Sequence, residues 1–252
     1  MKVVVLSSGS KGNTTYVESN GFKILIDIGN TCKYVVNSLQ QLGVDPNSLD
    51  GILISHTHKD HVSGLKVFEK KYNTKVYITS KMFEQLNYLE NYVIIDNDEF
   101  SIGSLKIMII RTSHDAVDSR GFIVLDGNKS MVQITDTGYI NSKYYDILKN
   151  RNLYIMESNH DIEMLMNGPY PYHLRNRVLS DKGHLSNYDS ARYISEFIGD
   201  KTKYVLLAHL SQHNNTKDLA YQELISRLDH DNKKFNNIIV AEQDEKTELL
   251  EI

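Results

Sequence analysis

The chain has 252 residues, 40% of them hydrophobic, and a formal net charge of −4. It is long enough for a sizeable core and lacks the basic excess that binds bulk nucleic acid by charge alone. A single cysteine, Cys32, excludes an intrachain disulfide and fits a reducing compartment. No apolar run approaches the roughly 18 residues of a membrane span, and Met1–Leu6 is too short to read as a signal peptide. The expectation is a cytoplasmic protein without a membrane partner, folded as one domain over residues 1–252.

Val3–Leu6 reads as the first strand. A Gly/Ser turn follows, then strands at Thr15–Glu18 and Lys23–Asp27. A helix near Lys33–Leu42 stops at Gly43, because glycine readily takes the left-handed conformation that ends helices. Strand Gly51–Ser55 runs into the richest stretch of the chain, His56-Thr57-His58-Lys59-Asp60-His61. Val62–Lys70 reads as helix, Lys75–Ile78 as strand and Ser80–Leu86 as helix. Leu105–Thr112, Gly121–Leu125 and Ser130–Thr135 are strand-like, with turn residues such as Asp126-Gly127-Asn128 between them. From Asn141 the pattern turns helical around a strand at Leu153–Glu157. Helix Asn187–Ile198, strand Tyr204–Ala208, helix Leu219–Leu228 and strands Asn237–Ala241 and Thr247–Leu250 complete it. Each half is strands first and helices later, which packs as sheet on sheet with helices outside.

Imidazole and carboxylate are the usual protein ligands of zinc and similar divalent ions. Two histidines at i and i+2 converge on one ion when the backbone turns after a strand, and the Asp and His that follow are offset towards a second. Four further strand ends present an acid or imidazole: Asp27 after Lys23–Ile26, His114 after Lys106–Ile110, Asp136 after Met131–Ile134, and His209 after Tyr204–Ala208. Strand ends are where α/β proteins place their sites. Any one of these residues alone reads as a cap or a satisfied core group. All four beside the histidine cluster read as a metal centre.

His-x-His-x-Asp-His after a strand, with Asp27, His114, Asp136 and His209 in this order, resembles the metallo-β-lactamase fold superfamily across essentially the whole chain. The resemblance implies a mixed α+β, α/β fold arranged as a four-layer αβ/βα sandwich. It implies that His56, His58 and His114 hold one metal, that Asp60, His61 and His209 hold another, and that Asp136 bridges them. Asp27 would orient a ligand ring instead of binding metal. Two divalent ions, zinc or manganese with iron also fitting, would share a hydroxide that attacks the substrate. A bridging Asp136 without a nearby cysteine argues against true β-lactamases. His58, where redox di-iron relatives often carry Glu, argues against an oxidoreductase.

Gly183-His184-Leu185-Ser186 followed by His209-Leu210-Ser211 resembles the tRNase Z-type arrangement. His184 would then be a catalytic histidine beside the scissile phosphate, acting with Asp60. Leu6–Asn13, Glu157–Asp161, Gly183–Asn187 and His209–Asn215 match the YycJ-like (WalJ-like) subgroup. That subgroup is associated with DNA exonuclease activity from 5′ ends, which makes nucleic acid the expected partner, DNA over RNA.

Three features stay open between function and structure. Ser7–Asn13 either places backbone N–H groups near a phosphate or is a tight turn. His160 either binds substrate or, with Asp161, caps the next helix. Tyr170, Tyr172, His173, Arg175 and Arg177 either stack on bases and hold phosphates or form a solvated helix face; Tyr172 and Arg175 are the candidate contacts. The leading expectation is a dinuclear metal phosphodiesterase. The alternatives are a small-molecule hydrolase, either a cyclic-nucleotide phosphodiesterase or a thioesterase, and a metal-stabilised, non-catalytic partner-binding protein.

Overall fold

Consecutive apolar positions decide the architecture. In the first strand Val3 and Val5 share one face, Val4 and Leu6 the other, and all four are buried. A strand apolar on both faces has to be covered on both. The computed structural model describes residues 1–252 and shows what covers them. One sheet holds, in spatial order, β1 (Lys2–Ser7), β2 (Thr14–Ser19), β3 (Phe22–Ile26), β4 (Gly51–Leu53), β5 (Val76–Ile78) and β6 (Tyr92–Ile94). The other runs from β7 (Glu99–Ile102) through β8 (Leu105–Arg111), β9 (Arg120–Asp126), β10 (Lys129–Ile134), β11 (Leu153–Glu157) and β12 (Tyr204–Ala208) to β13 (Ile238–Val240). The short β14 (Leu250–Glu251) pairs antiparallel with β1, so each sheet has seven strands. Each begins with antiparallel hairpins and continues parallel, from β3 onward in the first and β10 onward in the second.

The first half contains helices α1 (Cys32–Gln41), α2 (Lys59–Val62), α3 (Leu65–Tyr72) and α4 (Ser80–Gln85). The second contains α5 (Tyr145–Leu148), α6 (Ile162–Asn167), α7 (Tyr172–Leu179), α8 (Asn187–Phe197) and α9 (Lys217–His230). Val3, Val5, Val17 and Ile24 of the first sheet share a buried cluster with Ile107, Ile109, Val124 and Ile155 of the second. Val4, Leu6 and Ile52 pack outward with Val35 and Leu39 of α1, Phe68 of α3 and Met82 of α4. Ile123, Val132 and Met156 do the same with Ile194 and Phe197 of α8 and Leu224 of α9. The result is the expected four-layer αβ/βα sandwich. Each buried Val, Leu or Ile contributes about 1.5–3 kcal/mol, more than the whole strand propensity of a three-residue element such as β4, so layer packing holds the short strands in place.

Strands β6 and β7 were not anticipated: both are short edge strands, β6 falling in the brief apolar run Tyr92-Val93-Ile94-Ile95 with Tyr92 and Ile94 exposed. The helix expected over Val62–Lys70 is split. Gly64 lies between α2 and α3, donates its N–H to Ile28 O at 3.0 Å, and has no room for a Cβ against the Asn30 carbonyl. The last strand starts at Leu250, because Thr247 instead bonds Val5 through its N–H and hydroxyl oxygen.

Candidate metal centre

The site forms where the C-terminal ends of strands from both sheets meet. Asp27 follows β3, the histidine cluster follows β4, His114 follows β8, Asp136 follows β10, Glu157 ends β11 and His209 follows β12. Asp27, Asp136 and His209 take φ of +62°, +57° and +58°. Left-handed backbone is uncommon for a residue with a Cβ and costs on the order of 1 kcal/mol or more. Here it turns each chain abruptly off its strand, and the side chain enters the centre. The single turn α2 does the same for the cluster: His58 sits at its N-cap, with Asp60 and His61 in the turn.

Two donor triads result. The ligand atoms of His56, His58 and His114 lie within 4.8 Å of one another, and so do those of Asp60, His61 and His209. Asp136 stands between them, with Oδ2 3.2 Å from His61 Nε2 and Oδ1 3.7 Å from His114 Nε2 and 3.6 Å from His209 Nε2. Most rings are fixed from behind. His61 Nδ1 is 2.7 Å from Asp27 Oδ2, and Asp27 also accepts from Ser55 N–H at 2.8 Å and Ser55 Oγ at 2.7 Å. His114 Nδ1 donates to Gly183 O at 3.1 Å and His209 Nδ1 to Glu157 Oε1 at 2.9 Å. Each of these bonds places Nε2 inward, the usual device for presenting a ligand ring. His58 is turned the other way, with Nδ1 3.2 Å from His114 Nε2 and Nε2 3.8 Å from Asp115.

His56 Nε2, Asp136 Oδ2 and His209 Nε2 are buried without any hydrogen-bond partner. Buried polar atoms are rarely left unpaired; these three are among several such atoms in the chain, and all belong to the donor set, where a divalent cation would satisfy them. The electrostatics agree. Burial, reinforced by His61, pushes the His56 imidazole well down. Burial also opposes charge on His61, yet Asp136 and Asp27 carry it up to about 10. Asp136 is pushed up by burial, but His209 and His61 outweigh that and hold it well below the carboxylate range. Protons on the imidazoles thus do for these carboxylates what a cation does.

His184 comes within 3.7 Å of Asp136 Oδ1 and its Nδ1 lies 2.7 Å from Glu157 Oε1. Asp136, Glu157, His184 and His209 are themselves close enough to suggest a metal group. Their nearest atoms are already paired through Glu157, so we read them as a hydrogen-bonded relay. Glu157 is fully buried, and its second oxygen accepts the N–H groups of Thr137 and Leu185. Its role was missed from sequence, although it ends a strand as Asp27 and Asp136 do.

The remaining candidates separate. His160 is buried, with neither ring nitrogen partnered, and burial lowers its pKa to about 4; it does not line the cleft. Asp161 caps α6. Tyr172 is 73% exposed, and Arg175 donates to Met166 O. Both lie off the face of α7 on which Leu174, Arg177 and Val178 line the cleft, a matter of helical phase that the residue types alone do not reveal. The Ser7–Asn13 loop braces the ligands. Ser8 Oγ accepts the His209 N–H at 2.8 Å, and Asn13 N donates to Asp60 O at 2.8 Å. Ser10 reaches the cleft.

Residues 8–91 match the family model of the anti-Pycsar protein Apyc1. Exodeoxyribonuclease WalJ of Streptococcus pneumoniae serotype 2 is 36% identical over 236 residues, 90% of this chain and 88% of that protein. Exodeoxyribonuclease YycJ of Bacillus anthracis is 36% identical over 223 residues, 86% of this chain and 84% of its own. Among solved structures, the metallo-beta-lactamase fold protein YhfI from Bacillus subtilis gives a TM-score of 0.76 over 98% of this chain and 99% of its own, at 17% identity. The short form of human tRNase Z gives 0.67 over 98% of both chains, at 15%. The structural likenesses establish the fold, and the two sequence likenesses span it nearly end to end. The chain belongs to the WalJ/YycJ family of metal-dependent hydrolases on the metallo-β-lactamase fold.

Proposed function

We propose that the chain is a dinuclear metal-dependent exodeoxyribonuclease that degrades DNA from 5′ ends. The observation that carries this is the Asp136 carboxylate placed between two donor triads, with the His184–Glu157 pair beside it. Five imidazoles and two carboxylates form a borderline nitrogen and oxygen set that suits zinc or manganese. Two divalent cations held there supply a water ionised near neutral pH and draw charge from the phosphoryl oxygens.

The chain's own residues do the rest. Asp60 and Asp136 keep the centre anionic: Asp60 is held below the usual range, against burial, by His209 and His61. Burial pushes Glu157 up, but His184 and His209 pull it down to about 2, so it stays ionised and accepts from His184 Nδ1. With Nδ1 engaged by Glu157, Nε2 is the nitrogen of His184 left to serve a leaving oxygen, on a side chain that lines the cleft. The exodeoxyribonuclease names of the long-span relatives support DNA as the substrate.

The test is an end-label assay. The purified protein is stripped of metal, resupplied with Mn²⁺ or Zn²⁺, and given single- and double-stranded DNA labelled at either end. RNA of the same sequence and bis-p-nitrophenyl phosphate run alongside. The expected result is early release of the 5′ label as mononucleotide, with RNA trailing. Hydrolysis of the small ester alone would overturn the reading in favour of a small phosphodiester.

A further inference from the structure

Among the cleft-lining residues only one carries a permanent positive charge, Arg177 of α7. Its Nε and Nη2 donate to the two Asp115 oxygens at 2.5 Å and 2.9 Å, and Nη1 has no protein partner. The pair is 45% and 33% exposed. At that exposure an ion pair adds about 0–1 kcal/mol to stability at most, so stability is a weak reason for it. Orientation is a better one. A guanidinium held by a bidentate fork loses little freedom when its remaining donors bind an oxyanion.

The same wall carries an aromatic ring. Tyr170 lines the cleft, its ring centroid 6.0 Å from that of His213 in an edge arrangement, and Leu174 lines it too. Tyr170 stands between Pro169 and Pro171, two of only three prolines in the chain. Pro169 has a fixed φ, and Pro171 restricts the residue before it to extended backbone. The backbone that presents the ring is therefore stiff before any ligand arrives, which lowers the entropic cost of stacking on it. The proposed donors His58, Asp60, His114, Asp136 and His209 line the same cleft of about 360 Å³, and Asp115, the partner of Arg177, lies 3.5 Å from His114 Nε2.

We propose that this wall is a nucleotide subsite: Arg177 holds the phosphate next to the scissile one and Tyr170 stacks its base. It rests on the exonuclease reading and explains how a chain of net charge −4 grips a polyanion, by one oriented cation and one fixed ring instead of a basic field. Recognition of this kind is tolerant of sequence, because every base has a π-face.

The experiment uses metal-loaded protein and a 3′-fluorescein phosphorothioate single strand, which resists cleavage, with affinity followed by anisotropy across a salt series. Arg177→Ala should flatten the slope of log affinity against log salt by about 0.7, and Arg177→Lys should restore it. Tyr170→Ala should weaken binding about 5- to 150-fold at fixed salt, whereas Tyr172→Ala, outside the cleft, should leave it unchanged. If wild-type protein cuts end-labelled DNA but the Arg177→Ala and Tyr170→Ala variants bind as wild type does, the subsite is overturned and the exonuclease reading stands. A wild-type protein that neither binds nor cuts the strand overturns that reading, and the subsite with it.

Discussion

Glu157 shows how much of this centre depends on residues outside the proposed donor set. One carboxylate oxygen, Oε1, accepts from both His209 and His184, the proposed ligand ring and the proposed catalytic ring. A glutamine there keeps the size but loses the charge, and its amide cannot serve both donors with two acceptor oxygens. Removing such a support typically costs 10–100-fold in metal affinity or activity. Glu157→Gln should therefore weaken metal binding by about that factor and slow turnover as well. His184→Ala should slow turnover while the chain still binds two ions. Parallel metal titration and DNA-cleavage kinetics separate the two, and loss of an ion from His184→Ala would make His184 a ligand and refute the relay. The seven proposed donors were legible because imidazole and carboxylate at strand ends announce their chemistry. Glu157 was not, because a buried acid shows its partners only when the fold brings Gly183–Ser186 against β11.

The elements place these residues through close backbone approach. Gly29 follows β3 and sits against the Asn13 N–H and the Asp60 carbonyl, where a Cβ would overlap both. Asn13 and Asp60 are themselves hydrogen-bonded. Any side chain at position 29 thus pushes the Ser7–Asn13 loop away from the turn that carries Asp60 and His61. Overpacking of this kind costs about 1–3 kcal/mol. Gly29→Ala should lower the urea midpoint accordingly and reduce metal occupancy, though residue 29 is no ligand; occupancy equal to wild type would show that the loop does not hold the turn. Strands such as β1 and β11 were predicted well, because their apolar residues are buried on both faces. The edge strands β6 and β7 and the phase of α7 escaped notice, since half-exposed residues carry little periodic signal. That phase is why Tyr172 and Arg175 stand outside the cleft and Tyr170 and Arg177 line it.

At the scale of the molecule, the two halves repeat one arrangement, hairpins followed by parallel strands, and each contributes donors to a shared centre. The first brings Asp27, His56, His58, Asp60 and His61; the second brings His114, Asp136, Glu157, His184 and His209. The shared apolar layer between the sheets therefore also sets the register of the two donor groups. Sequence pattern pointed to strands followed by helices in each half, without a residue repeat to prove the symmetry, because the halves share topology and not residues. Asp136, as proposed, joins the halves into a two-ion centre that hydrolyses DNA. Ion content per chain, measured on stripped and reloaded wild type and Asp136→Ala beside end-labelled DNA cleavage, tests it most directly. Wild type should hold two ions and cleave fully, and Asp136→Ala should hold fewer ions and cleave at least about 100-fold more slowly. Undiminished cleavage by Asp136→Ala, or by stripped wild type, would contradict it.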